Sequence, residues 1–101
     1  TPLHFAIEEG ASEQVVRLLI DGGGGKACLA QTEKGNTPLH FACSYGASEA
    51  VVRLLIDGGG GKDACLAQEE DGWTPLHFAI EEGASEQVVR LLIDGGGGKA
   101  C

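Results

Sequence analysis

The sequence predicts an all-α fold of stacked helix pairs, and three observations carry that prediction. The string TPLHFA begins at Thr1, Thr37 and Thr74, in steps of 36 and 37 residues. Each copy runs through GASE into VVRLLIDGGGGK, and residues 1–28 are identical to residues 74–101. Apolar letters in both halves of the unit recur at helical spacing, and self-similarity at a period of about 20–50 residues is the mark of repeat architectures.

Each element of the unit follows from its letters. Thr1, Thr37 and Thr74 stand where a helix N-cap belongs, and the following proline fits the first helical position, where its missing N–H costs nothing. The first helix covers LHFA and three further residues, then stops at Gly10, Gly46 or Gly83, which suit a left-handed C-terminal cap. Ser12, Ser48 and Ser85 offer a second N-cap, with Glu13, Glu49 and Glu86 well placed for the helix dipole. In the second helix, Val15, Leu18, Leu19 and Gly22 share one face, and Val16 and Ile20 widen the stripe. The glycine run is expected to end that helix and to form a lengthened, mobile connection, since four consecutive glycines carry a large ordering entropy. Isolated helices shorter than about 12 residues are marginal, so stability must come from stacking one pair on the next.

Composition sets the outer limits. The chain has 101 residues, enough for a single domain, and 43% of them are hydrophobic, enough for a packed core. Fifteen acidic against seven basic residues give a formal net charge of −8. Such a chain repels phosphate backbones and anionic headgroups, so neither nucleic acid nor a membrane surface is an expected partner. No apolar run approaches the roughly 18 residues of a membrane span.

Taken together, TPLHFA, the gap to Gly10, the VVRLLID segment and the glycine one residue before each later TPLH (Gly35 with Asn36, Gly72 with Trp73) resemble the ankyrin repeat. The family signature T-P-L-H-x-A and its period of about 33 residues agree with this chain over essentially its whole length. The resemblance implies an ankyrin-repeat solenoid of stacked helix-turn-helix units with projecting hairpin-like finger loops. It divides residues 1–101, a single domain, at about 1–31, 32–68 and 69–101, the first and last repeats being truncated. The period here is three or four residues too long, and the excess falls in the glycine run.

Candidate chemistry is sparse. GGGGK at Gly22–Lys26 invites a phosphate-loop reading, but that motif needs a glycine where Ile20 stands and a hydroxyl where Ala27 stands. Cys28, Cys43, Cys65 and Cys101 lack the spacing of a zinc site. Stacked repeats set equivalent residues about 8–10 Å apart, beyond the ~7 Å between Cα atoms that a disulfide allows. Reduced, apolar packing roles in an intracellular, cytoplasmic or nuclear setting follow, with Cys101 open to intermolecular oxidation in vitro. One histidine per repeat, His4, His40 and His77, is a structural signature; the resemblance implies that it bonds the capping threonine and the backbone near the neighbouring finger. No catalytic, cofactor or metal site is expected, and the chain is not read as an enzyme.

The resemblance also implies where a partner touches: finger tips and the solvent face of the first helix. On the helices these positions are Glu8, Glu9, Ser44, Tyr45, Glu81 and Glu82. On the fingers they are Glu33, Lys34, Asn36, Glu70, Asp71 and Trp73. Tyr45 and Trp73 are the expected anchors, because aromatic residues dominate interface hot spots; for Trp73 the alternative is packing over the adjacent finger. The expected partner is a protein or peptide with a basic patch. An engineered repeat chain without a natural ligand, and the regulatory arm of a larger enzyme, stay open beside a binding scaffold, as does the oligomeric state.

Overall fold

A computed structural model of the chain describes residues 1–23 and 25–96. Cys101 and the end of the third glycine run lie outside the described residues. The elements are α1 (Pro2–Glu8), α2 (Glu13–Gly23), a 3₁₀ segment (Gly25–Leu29), α3 (Pro38–Ser44), α4 (Glu49–Leu55), a π-helical turn (Ile56–Gly60), α5 (Gly61–Leu66), α6 (Pro75–Glu81) and α7 (Glu86–Gly95).

The caps form as the letters predict. Thr1 and Thr37 accept the backbone N–H of His4 and His40 through Oγ1, each at 3.3 Å. Thr37 N–H donates in return to His40 Nδ1 at 3.1 Å, and Thr74 N–H to His77 Nδ1 at 2.9 Å. Caps of this kind are worth about 1 kcal/mol each. Gly10, Gly46 and Gly83 adopt φ of +75°, +70° and +72° and turn the chain out of the first helices. Ser12, Ser48 and Ser85 then accept the N–H three residues on, opening α2, α4 and α7.

Stacking produces three rows. The first helices α1, α3 and α6 pack side by side, as do α2, α4 and α7, and the glycine-led segments form the third row, with the 3₁₀ segment against the π turn and α5 against α7. Leu39, Val52, Leu55, Leu92 and the Cys28 and Cys65 side chains are fully excluded from water at the contacts between rows. Burying each such aliphatic chain contributes about 1.5–3 kcal/mol.

Two expectations need correcting. The first glycines do not end the second helix in two of the units: α2 continues through Gly22 to Gly23 and α7 to Gly95, whereas α4 stops at Leu55. In the middle unit the glycines after α4 build the π turn with a kink at Gly59 (φ +143°), and α5, which carries the extra Asp63, follows from Gly61. Among the described residues the middle connection is thus two short helical pieces joined by that kink rather than an extended loop. The predicted stripe of α2 is also displaced: Val16 and Ile20 are 0% and 5% exposed, whereas Val15 and Leu18 are 43% and 69% exposed. The helix has an apolar face toward each side of the stack, and in the first unit only the forward side has a neighbour.

Candidate binding surface of fingers and first helices

The fingers are short hairpin-like turns. In the first, Thr32 N–H donates to Asn36 O and Gly35 N–H to Thr32 O, both at 2.9 Å. In the second, Glu69 N–H donates to Trp73 O at 3.0 Å and Gly72 N–H to Glu69 O at 2.9 Å. Where the first finger closes with the Thr32 hydroxyl on Asn36 N–H, the second uses the Glu69 carboxylate, which accepts from Asp71 N–H at 2.7 Å and Trp73 N–H at 3.0 Å. Glu70 N–H donates to Lys34 O at 2.8 Å, locking the two tips together. Gly35, at φ +85°, lies under that contact: a Cβ there would stand 3.1 Å from Glu69 Cα.

Histidines tie fingers to helices. His4 Nε2 bonds Asn36 O at 2.8 Å, and His40 Nε2 bonds Trp73 O at 2.9 Å. Because Thr37 N–H occupies Nδ1 of His40, the ring proton sits on Nε2 and that nitrogen donates. Burial holds His4 and His40 below the ordinary histidine pKa, against the opposing pull of the carbonyls they bond. His77, in the last unit, is exposed. Among the described residues no buried side-chain nitrogen or oxygen lacks a hydrogen-bond partner, and no group of three or more His, Cys, Asp or Glu is disposed to hold a metal ion.

The candidate contact residues fall into three groups. Glu8 and Tyr45 come together as walls of a groove of about 320 Å³ between the first two units, floored by Val16 and Val51. Tyr45 is 55% exposed, with its ring edge-on to Phe41 at 5.6 Å. Glu9, Glu81 and Glu82 are exposed, and Ser44 is half-buried. Lys34 and Glu70 meet in the finger ladder, flanked by exposed Glu33 and Asp71, while Asn36 is half-buried with its backbone committed to the turn. Trp73 joins none of these groups. It is half-buried, with its ring 5.6 Å from His77 and 5.2 Å from Phe78, so it packs on α6 of its own unit rather than over the adjacent finger as the alternative reading expected.

Sequence reasoning passed over the opposite face. Glu13–Arg17, Glu49–Arg53 and Glu86–Arg90 form ion pairs at 3.1, 3.0 and 2.9 Å along the second helices, at an i, i+4 spacing legible in the letters. A broad depression of about 640 Å³ lies between two of these pairs. Its arginines already pair with glutamates, leaving Asp57 on the rim, and exposed pairs of this kind contribute only about 0.3–0.5 kcal/mol each.

Stacked helix pairs with laddered fingers define a repeat scaffold. Residues 3–99 match the family model described as ankyrin repeats, in three copies, and the chain belongs to the ankyrin-repeat family. No curated protein matches it. Ankyrin repeats generally mediate protein–protein interaction and are typically not enzymes. Among the described residues no helix is long and apolar enough to cross a membrane.

Proposed function

We propose that this chain binds a basic segment of another protein along the finger tips and the exposed ends of the first helices. The observation that carries the reading is the uneven use of charge. The three arginines pair with glutamates on the second helices, whereas among the described residues Glu8, Glu9, Glu33, Glu70, Asp71, Glu81 and Glu82 form no ion pair, and Lys34 is the one cation among the candidate residues. Unpaired carboxylates on one surface steer a cationic partner and set its register more than they set raw affinity. Tyr45 supplies an aromatic anchor beside Glu8 over the inter-unit groove. Reduced, buried Cys28, Cys43 and Cys65 support an intracellular setting.

The test is a library of peptides graded in lysine and arginine content, measured against the 101-residue chain at several salt concentrations. Affinity should rise with basic content and fall with salt. Binding that is indifferent to basic content, or that strengthens as salt rises, would overturn the reading.

A further inference from the structure

The units differ in letters where the first helices end. Glu8 and Glu9 stand there in the first unit, Ser44 and Tyr45 in the second, Glu81 and Glu82 in the third. Glu8 of one unit and Tyr45 of the next thus wall the same groove at the first junction. At the next junction the corresponding positions are Ser44 and Glu82. Only the first junction sets a carboxylate and an aromatic ring together.

This groove is apolar below and charged on one wall. Buried Val16 and Val51 form its floor. Tyr45 has a unit on either side, so its exposure belongs to the interior of the stack rather than to an end. Its ring is held by the edge contact with Phe41 at 5.6 Å. The other polar side chains of the groove are engaged. Ser12 and Ser48 cap α2 and α4 by accepting N–H groups at 3.4 and 3.3 Å, and Glu13 pairs with Arg17 at 3.1 Å. Glu8 forms no ion pair among the described residues. One carboxylate, one ring and an aliphatic floor are what the groove offers.

That set discriminates between basic side chains. A lysine ammonium is a strongly hydrated point charge with three donors, and here a single carboxylate would have to replace its water. An arginine guanidinium is planar and more weakly hydrated; it stacks on an aromatic face and gives a carboxylate two parallel N–H bonds. Its aliphatic stem lies readily on apolar surface while the head stays at the rim. We infer that the groove seats one arginine side chain of the partner, its guanidinium between the Tyr45 ring and the Glu8 carboxylate and its stem over Val16 and Val51. The inference rests on the proposal that the partner is basic, and it adds the residue that sets the register. The remaining acidic surface reads charge alone, whereas the groove reads the guanidinium at one position.

Hexalysine, and the same peptide with its third lysine replaced by arginine, carry equal charge and test this by calorimetric titration of the chain at low salt. One arginine should tighten binding about two- to fivefold, the range of a cation–π contact at an exposed site, and further arginines should add less because there is one seat. Tyr45→Leu keeps apolar bulk without the ring and should bind the two peptides alike. Glu8→Gln should also lose the preference. Glu81→Gln, the same change of charge in the third unit, should weaken both peptides and keep it. All three positions are exposed, and circular dichroism checks that each variant is folded. The chain has one tyrosine and one tryptophan, so NMR gives a second readout: the Tyr45 ring protons should shift more with the arginine peptide than with hexalysine, and the Trp73 indole protons equally with both. Two peptides bound alike by the wild type overturn the inference and leave the basic partner standing. Neither peptide bound overturns both. A preference that survives Tyr45→Leu places the arginine elsewhere and overturns the inference as well.

Discussion

At His40 a single ring closes two contacts that neither neighbour makes alone. Its Nδ1 accepts Thr37 N–H and its Nε2 donates to Trp73 O, so the neutral ring joins a helix cap to the next finger. Protonation would set an N–H against the Thr37 N–H and break the cap. His4 and His40 both have pKa values lowered by burial, so the folded chain binds fewer protons than the unfolded one below about pH 6.5. Stability should therefore be intact above that value and fall as the pH drops through it toward the folded-state pKa values, which urea melts between pH 7 and 5 will show. The aromatic pair separates by the same logic of contacts. Tyr45→Ala should weaken peptide binding with little change in melting temperature. Trp73→Ala should lower stability by about 2 kcal/mol, because its ring packs on Phe78 and His77.

At the scale of elements, the glycine-bearing ends of the second helices decide how closely units approach. Alanine outranks glycine in a helix interior by about 0.8–1 kcal/mol, so Gly22→Ala, which meets nothing, should stabilise the chain by roughly that amount. At Gly58 a Cβ would stand 3.0 Å from Ile20 Cγ2, so Gly58→Ala forces Ile20 aside and should destabilise by about 1–3 kcal/mol, as overpacking does. Thermal melts of the two variants should move in opposite directions although the local sequences, Ile-Asp-Gly-Gly-Gly-Gly-Lys, are the same. A shared direction would mean that the isoleucine seat is not what demands glycine. The caps and the limits of the first helices were legible in the letters because they depend on residues three or four apart. The role of the glycine run was not, because its reason lies in a side chain 38 residues away.

Across the whole molecule, each unit is covered by its neighbour, so unfolding should be cooperative and sensitive to the buried thiols. Burial pushes the Cys43 thiol up to about 12 and the Cys65 thiol up to about 11. Both are protonated in the folded chain where they would ionise in the unfolded one. Stability is thus fully present below about pH 8.5 and should be lost as pH rises through 9 and beyond. Alkylation by iodoacetamide at pH 8 should accordingly be slow at these two residues until the chain is unfolded, as mass spectrometry can follow.

What the sequence by itself determined was the unit: two capped helices, a glycine turn and an acidic balance of charge, with the histidine's bond to its threonine implied by the family resemblance. These are local properties, set by short spacings along one chain. Only the tertiary structure decided which apolar residues are covered. Val15 and Val88 occupy the same position in identical segments, yet one is 43% and the other 6% exposed; Ile7 and Ile80 are 4% and 66% exposed. Burial belongs to a residue and its neighbours together, and in a stack of like units the neighbours are set by rank in the array rather than by the letters of the repeat.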